Sequence, residues 1–259
     1  MKNNEPKFGT WVPEKLLVAL WSISTLLFIF LILNICLWQS LAATIILSLL
    51  LILFLFYSIY MQLFHYTFSQ NGYDLSSKIY DYILQHLDCK DDSSILDIGC
   101  GSGAFDIQIS KKNPNSNITG LDYWGMKFDY AKEQCENNAK ICNVNNVEFI
   151  KGDAKKLPFE DETFDAVVSN FTFHEVDTEK NKRNLIYEAL RVLKKGGSFS
   201  LHDMFANERI YGDINEVIDE LKKQGFEKVV YIPRTENESF VPNNIKLMFN
   251  HCGLIYGIK

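Results

Sequence analysis

The stretch from Leu16 to Tyr73 contains no Asp, Glu, Lys or Arg, and this constrains the fold more than any other feature. It holds two apolar runs, residues 16–38 and 41–64, separated by the polar pair Gln39-Ser40. Each run exceeds the roughly 20 apolar residues that a helix needs to cross a hydrocarbon core. Helices that are apolar on every side need a large surrounding core, and the remaining domain is too small to provide one. The sequence therefore predicts a transmembrane helical hairpin.

Charged and aromatic residues around the hairpin predict its orientation. Residues 1–15 include Lys2, Lys7 and Lys15, whereas the turn between the two runs has no positive charge. The positive-inside tendency places both termini and the downstream domain in the cytoplasm. No small-residue cleavage pattern follows the first run, so we expect the segment to be retained. Aromatic residues that fit membrane interfaces cluster toward the ends of the runs: Trp11, Trp21, Trp38, Tyr57, Tyr60 and Tyr66.

Asn34 is the strongly polar side chain of the first run. It either forms a hydrogen bond with the second helix or lies at the interface end of its own helix. The sequence leaves both interpretations open.

Charge and cysteine content argue against two classes of function. The formal net charge is −6, which provides no general basic field for nucleic acid, so no nucleic-acid partner is expected. The six cysteines form no CxxC pair and histidines are few, so no metal site is expected. Reduced thiols that pack as small hydrophobic side chains are the simplest interpretation.

Residues 93–259 alternate between strand and helix patterns. This indicates an α/β fold, a Rossmann-like, mostly parallel seven-stranded sheet with an antiparallel last strand. The predicted strands are 94–98, 117–123, 147–151, 164–170, 198–203, 226–232 and 247–258. The predicted helices include 104–112, 127–141, 180–193, which Lys194-Lys195-Gly196-Gly197 would end, and 215–223. Residues 65–92 form a linker with a helix over residues 75–87, which we interpret as a substrate lid.

Three glycines follow the first strand of this domain at alternate positions, Gly99, Gly101 and Gly103. Glycines allow a tight turn and close approach of the backbone to a ligand. Amides at the start of the next helix favour a polar or anionic group. The pattern predicts a nucleotide-like cofactor at the carboxyl end of the first strand. Since Gly99-x-Gly101-x-x-Ala104 also fits the relaxed dinucleotide fingerprint, a nicotinamide dinucleotide remains an alternative.

The glycine loop is the first of five ordered blocks that resemble those of class I S-adenosylmethionine-dependent methyltransferases. The similarity is greatest to the small-molecule group that includes ubiquinone and menaquinone biosynthesis methyltransferases. The blocks are Asp97-x-Gly99-Cys100-Gly101-Ser102-Gly103, then Asp122 at the end of the second strand, Gly152-Asp153-Ala154, the segment Leu157 to Val167, and Leu193 to Phe199.

This resemblance implies S-adenosyl-L-methionine as cofactor and a set of residues that bind it. The glycine loop would hold the methionine part, with the negative charge of Asp97 near its ammonium group. Asp122 would accept from the ribose hydroxyls, and Asp153 from the adenine amino group. The full set of expected cofactor-binding residues is Asp97, Gly99, Gly101, Gly103, Asp122, Tyr123, Asp153, Ala154, Asn170 and Phe171.

The segment from Asn170 to Val176 would lie between cofactor and acceptor. His174 is the candidate catalytic base, oriented by Glu175 or Asp203. A purely structural role for His174 is the alternative, and His202 is equally ambiguous.

The resemblance implies a small-molecule acceptor, without naming it. Because the second apolar run leads directly into the domain, a lipid-like or quinone-like acceptor is the further hypothesis. The hairpin, residues 16–64, could bind substrate, bind a partner or only anchor the enzyme. A membrane-tethered S-adenosylmethionine sensor or scaffold and a nicotinamide-dependent oxidoreductase are the alternative functions. The oligomeric state is not predicted.

Overall fold

A computed structural model describes residues 5–10, 12–125 and 131–259. The chain divides into two compact units, Gly9–Ser76 and a unit made of Met1–Phe8 with Ser77–Lys259. Lys2 and Trp11, which entered the orientation argument, lie outside the described residues, as do positions 127–130 of the predicted helix 127–141.

The smaller unit is a helical hairpin. Helix α1, Glu14–Leu33, continues as a π-helical turn, Asn34–Trp38, and helix α2 spans Leu41–Phe68. Both helices are long and apolar enough to cross a membrane, as judged by length and composition. Between them Gln39 adopts a left-handed conformation with φ +50°, which allows the short turn.

Polar side chains of the hairpin bond to one another or to its own backbone. Nδ2 of Asn34 donates to Thr44 Oγ1 at 2.8 Å and to Ser40 O at 3.0 Å; the first of these is the hydrogen bond to the second helix that the sequence left open. The hydroxyls of Ser24 and Ser58 lie 3.2 Å apart across the helix pair. Such interhelical bonds are the way polar groups are accommodated between apolar helices.

The larger unit is built on a seven-stranded sheet, as predicted. The strands run in the order β3-β2-β1-β4-β5-β7-β6, and β7 is antiparallel to both of its neighbours. The remaining neighbours in the sheet pair in parallel. The strands are β1 Ser94–Ile98, β2 Asn117–Asp122, β3 Val147–Lys151, β4 Phe164–Asn170, β5 Leu193–Asp203, β6 Lys228–Pro233 and β7 Gly253–Ile258.

Helices cover the sheet, and apolar side chains fill the space between. The largest buried cluster joins Val167 and Phe199 of the central strands to Leu185 and Val217. The helices that follow the hairpin are α3 Leu75–Gln85, α4 Ala104–Lys112, α5 Lys132–Ile141, α6 Arg183–Arg191, α7 Glu208–Tyr211 and α8 Ile214–Lys223.

Helix α3 is bonded to the sheet domain along its length. Gln108 donates to Ser77 O at 3.1 Å, and Ser200 donates to Ile83 O at 2.9 Å. The side chains of Ile79 and Ile83 are buried. A lid function for this helix stays a prediction.

Strand β5 begins at Leu193, so the predicted end of the preceding helix is wrong. Helix α6 ends at Arg191, and residues 194–197 belong to the strand. The pairing with β4 shifts between Phe164↔Leu193 and Ala166↔Ser198, as a bulge does. The physical reason is a tertiary bond, since the Gly196 amide donates to Lys259 O at 2.7 Å at the far end of the chain.

Strand β7 begins at Gly253, later than predicted, because residues 234–252 form a structured connection. This β6–β7 connection contains two short 3₁₀ turns, Thr235–Asn237 and Asn243–Ile245. The carboxylate of Glu236 accepts from the amides of His251 at 3.2 Å and Cys252 at 3.0 Å. These hydrogen bonds therefore join the start of the connection to its end.

Candidate functional site

The glycine loop joins the ends of three strands. Gly99, Gly101 and Gly103 all have positive φ, at +84°, +57° and +78°, a region that favours glycine. The Gly99 amide donates to Leu121 O of β2 at 2.7 Å. A Cβ added at Gly99 would overlap the side chain of Thr172, which follows β4. Gly99 is thus required both by its own backbone and by the loop that packs on it.

Asp122, at the end of β2, is bonded to the same loop. Its Oδ2 accepts from the Gly101 amide and its Oδ1 from the Trp124 amide, each at 2.8 Å. The Trp124 ring nitrogen donates in turn to Gly101 O at 2.9 Å. A carboxylate offers about four lone-pair positions, so Asp122 retains capacity for ligand hydroxyls. The neighbouring Tyr123 is 59% exposed, and Lys151 Nζ lies 5.9 Å from the centroid of its ring.

Asp97, in β1, is a buried acid without hydrogen-bond partners in the described part of the chain. Its side chain is 1% exposed, and neither carboxylate oxygen has a hydrogen-bond partner among the described residues. Burial and the neighbouring Asp106 carboxyl raise the pKa of Asp97 well above its usual value. An orphaned buried acid at this position is suited to a cationic ligand group.

Sequence reasoning missed Asp106, which lies in the first turn of α4. Its side chain is fully buried, and both of its oxygens also lack a partner among the described residues. A signal was present, because Ile109 and Ser110 lie three and four residues further on the same helix face and are buried too.

The loop after β3 is held beside β2 and beside the segment that follows β4. The Gly152 amide donates to Asp122 O at 2.9 Å. Asp153 Oδ1 accepts from the Lys155 amide at 2.9 Å and from Thr178 Oγ1 at 3.0 Å. Ala154 is buried next to it. Asp153 and Ala154, both of which belong to the expected cofactor-binding set, therefore lie at the same sheet edge as Asp122.

Phe171, just after β4, has a strained backbone. Its φ of +53° is unusual for a bulky side chain, and such strain concentrates at functional sites. Its amide donates to His202 O at 2.8 Å. Its ring packs edge-to-face on His174 and His202, with centroid distances of 5.8 and 4.8 Å, and lies 5.3 Å from the Phe249 ring.

His202 is a buried structural residue that links β4, β5 and the β6–β7 connection. Its Nδ1 lies 2.9 Å from Asn170 Oδ1 and its Nε2 lies 2.8 Å from Thr235 Oγ1. Since an amide oxygen only accepts, Nδ1 carries the proton and Nε2 accepts from the hydroxyl. Burial lowers the pKa of His202 to about 4, so the ring is neutral. Asn170 is thereby committed to this network through its oxygen.

His174 forms a buried ion pair with Asp203, at the end of β5. Nδ1 of His174 lies 2.7 Å from Asp203 Oδ1, and its Nε2 lies 3.5 Å from Glu175 Oε1. Burial opposes the imidazolium charge, but the Asp203 carboxylate outweighs it and raises the pKa of His174 to about 10. Asp203 also accepts from the amides of Phe173 at 2.8 Å and Met204 at 2.6 Å. At neutral pH His174 is therefore charged and anchors its loop.

Comparison with known proteins identifies this domain. Residues 96–201 match a family model described as a methyltransferase domain. This part of the chain is therefore similar to methyltransferase domains. The probable tRNA methyltransferase 9B of Homo sapiens is 34% identical over 131 residues, which cover 50% of this chain and 25% of that protein. The demethylmenaquinone methyltransferase of Staphylococcus aureus (strain JH9) is 32% identical over 116 residues, 44% of each chain. The chain thus spans less than half the length of these curated relatives.

Solved structures show the same fold for the methyltransferase domain. The [4+2]-cyclase SpnF superimposes with a TM-score of 0.54 at 18% identity, covering 70% of this chain and 80% of that one. An S-adenosylmethionine-dependent methyltransferase from Methanosarcina mazei gives 0.50 at 20% identity, covering 68% and 94%. Since the first of these is a cyclase, the fold alone does not define the reaction.

The site residues fit S-adenosylmethionine, the cofactor that the resemblance implies. The orphaned acid of Asp97 suits an ammonium group, whereas it offers nothing that would stabilise the pyrophosphate of a nicotinamide dinucleotide. Asp122 is placed for ribose hydroxyls at the end of β2. Among the described residues, no cluster of His, Cys, Asp or Glu has the arrangement of a metal site.

Proposed function

We propose that the chain is a membrane-anchored enzyme that transfers a methyl group from S-adenosylmethionine to an apolar small-molecule or lipid-like acceptor. The observation that carries this proposal is the packing of Thr172 on Gly99, which sets the Phe171–His174 loop against the cofactor loop. When bound, the cofactor supplies an activated methyl group on its sulfonium. The protein then has mainly to hold the acceptor, align it with the methyl group and exclude water.

The residues around Phe171 support an apolar acceptor. The Phe249 ring lies against Phe171, and the two residues before it are exposed, Leu247 at 76% and Met248 at 47%. Apolar side chains left exposed beside a site favour an apolar ligand over a charged one. The name of the similar staphylococcal enzyme, a demethylmenaquinone methyltransferase, is consistent with this choice.

His174 acts in this proposal as a charged hydrogen-bond donor that positions the acceptor. An imidazolium has two N–H donors and no acceptor; Asp203 occupies Nδ1, and the acceptor would share Nε2 with the Glu175 carboxylate, 3.5 Å away. Because the pKa of His174 is raised to about 10, the charged form persists through neutral pH.

The pH dependence of turnover tests this role of His174. Since the active form is protonated, we expect the rate to fall as pH rises through about 10. His174→Gln should lower kcat by about tenfold or more and change the dissociation constant of S-adenosylhomocysteine by less than about threefold. His86→Gln, just after helix α3, is the matched control. A wild-type rate that rises between pH 8 and 10, with the rise missing in His174→Gln, would make His174 a base instead.

Transfer of tritium from methyl-labelled S-adenosylmethionine is the decisive test of the whole proposal. The full chain in vesicles is incubated with a lipid extract, with aqueous metabolites and with tRNA, in separate reactions. We expect label in the lipid extract. Label in tRNA would favour the acceptor class named for the human relative. Binding of S-adenosylhomocysteine with no transfer to any fraction would favour a sensor or scaffold.

The membrane anchor is proposed from the charge-free hairpin. Its exposed side chains are largely apolar, and short polar side chains bond within it. We expect the full chain to stay in the membrane pellet at alkaline carbonate pH. A double variant, Phe28→Arg and Ile52→Arg, should be released, because each charge costs about 3 kcal/mol at a helix centre. Release of the wild-type chain would contradict the anchor.

The orientation of the anchor rests on Lys2, Lys7 and Lys15, which precede the first apolar run in the sequence. They favour cytoplasmic termini. Protease treatment of intact cells should therefore leave both ends of the chain uncut, and cleavage of either end would reverse the assignment.

A further inference from the structure

Asp97 and Asp106 share one buried space, although they come from different elements. Asp97 of β1 is the register partner of Gly120 in β2. A Cβ added at Gly120 would lie 2.5 Å from Asp106 Oδ1. The absent side chain at Gly120 is therefore what lets the α4 carboxyl reach the strand pair at the level of Asp97.

Among the described residues, the groups that shift the pKa values of this acid pair include no cation. The titratable groups that face it are Asp122 at the end of β2, Cys100 of the glycine loop and Cys135 of α5. All of these become anions when they ionise. The four oxygens of the pair have no hydrogen-bond partner among the described residues.

Two carboxylates cannot both stay ionised in such a place. Burial raises the pKa of each, that of Asp106 to about 8, and the neighbouring acid adds to the shift of Asp97. Like charges close together in low dielectric retain a proton, as in other paired carboxyl sites.

We infer that Asp97 and Asp106 form a proton-linked subsite for the ammonium group of the methionyl part of the cofactor. In the empty protein the pair retains a proton, and the arriving ammonium takes its place. The proton leaves to the buffer and no covalent bond changes. Asp106 is thus a second cofactor-binding acid, beyond the set that the family resemblance implies. This inference rests on the proposed use of S-adenosylmethionine.

Calorimetric titration with S-adenosylhomocysteine measures the exchange directly. The full chain is titrated at pH 6.5 in buffers of different ionisation enthalpy. We expect release of up to about one proton per ligand, and an affinity that rises with pH by up to about tenfold per unit. 5′-Methylthioadenosine lacks the amino-acid part and should bind without release. Equal binding heats in all buffers would mean that no proton is released, and would overturn the proposed subsite.

Substitution of Asp106 tests whether the released proton comes from the acid pair. Asp106→Asn preserves the shape, and we expect it to release fewer protons than the wild type when S-adenosylhomocysteine binds and to have a shallower pH profile, because Asp97 keeps the pKa shift caused by burial but loses the part caused by Asp106. Asp122→Asn should bind more weakly but still release the proton. Release of the wild-type number of protons by Asp106→Asn would overturn the assignment of Asp106.

A wild-type measurement guards against variants that fail to fold. An infrared difference spectrum should show loss of a protonated-carboxyl band when S-adenosylhomocysteine binds, and an unchanged band would contradict the proposal. If the wild type does not bind S-adenosylhomocysteine at all, the proposed function fails together with the subsite. Binding without release overturns the subsite alone.

Discussion

Gly99→Ala is expected to abolish measurable binding of S-adenosylhomocysteine by the full chain. The residue has φ +84°, and an added Cβ would overlap Oγ1, Cγ2 and Cβ of Thr172. These atoms belong to a β-branched side chain close to the backbone, so they cannot rotate away at low cost. Either the glycine loop or the loop carrying Phe171 and His174 must move. We expect at least a hundredfold loss of affinity, which corresponds to about 3 kcal/mol.

Gly225→Ala is the matched control for the backbone cost alone. Gly225 has φ +93°, and nothing lies within 4 Å of an added Cβ. This variant should lose about 1 kcal/mol of unfolding free energy and keep the wild-type affinity. The measurement is calorimetric titration of each variant with S-adenosylhomocysteine, alongside its thermal unfolding.

A double variant separates the clash from the strain at Gly99. Gly99→Ala combined with Thr172→Gly removes the overlapping atoms, so part of the lost affinity should return. If Gly99→Ala alone binds within about threefold of the wild type, the close approach of the two loops is not needed for cofactor binding.

The cofactor side of the site could be predicted because its residues sit at the ends of strands. Asp97, Gly99 and Asp122 each belong to or follow a short apolar run, and parallel strands bring their carboxyl ends to one edge. The loops then bond to one another, as Gly101 does to Asp122. The local sequence pattern and the sheet topology agree here, so most residues at this edge of the sheet could be predicted from the sequence.

Features that depend on distant parts of the chain could not be predicted. Leu247-Met248-Phe249 has the composition of a strand, yet Phe249 is buried on Phe171 and Leu247 is exposed. Residues 194–197 have the composition of a helix end, yet they pair with the last residue, Lys259. Asp106 looks like a surface acid until Gly120 is found opposite it. In each case a partner far along the chain decides the structure.

Asp203→Asn is expected to be the most destabilising single change at the acceptor side of the site. The Asp203 carboxylate is 1% exposed, pairs with His174 and accepts from the amides of Phe173 and Met204. The substitution removes the charge that sustains the imidazolium. Breaking a buried pair in this way costs about 3 kcal/mol. Chemical unfolding at pH 6 should show this loss, and kcat should fall because the Phe171–His174 loop loses its anchor.

Asp161→Asn is the control, because it makes the same substitution in an ion pair that lies at the surface. Asp161 pairs with Arg191 at 2.6 Å, but its side chain is 74% exposed. An exposed pair contributes at most about 1 kcal/mol. The control should therefore change the unfolding free energy little and leave kcat at the wild-type value.

The pH dependence separates the ion pair from simple packing at Asp203. The pKa of His174 is raised from 6.5 to about 10 by folding, so its contribution is present in full below pH 6.5 and is lost as pH rises to about 10. The pKa of Asp203 is lowered, so its contribution is lost only in acid. The stability gap between wild type and Asp203→Asn should thus be widest near pH 5 to 6 and shrink steadily toward pH 10. A gap that stays constant over that range would mean that the carboxylate acts through its amide hydrogen bonds and that His174 is neutral.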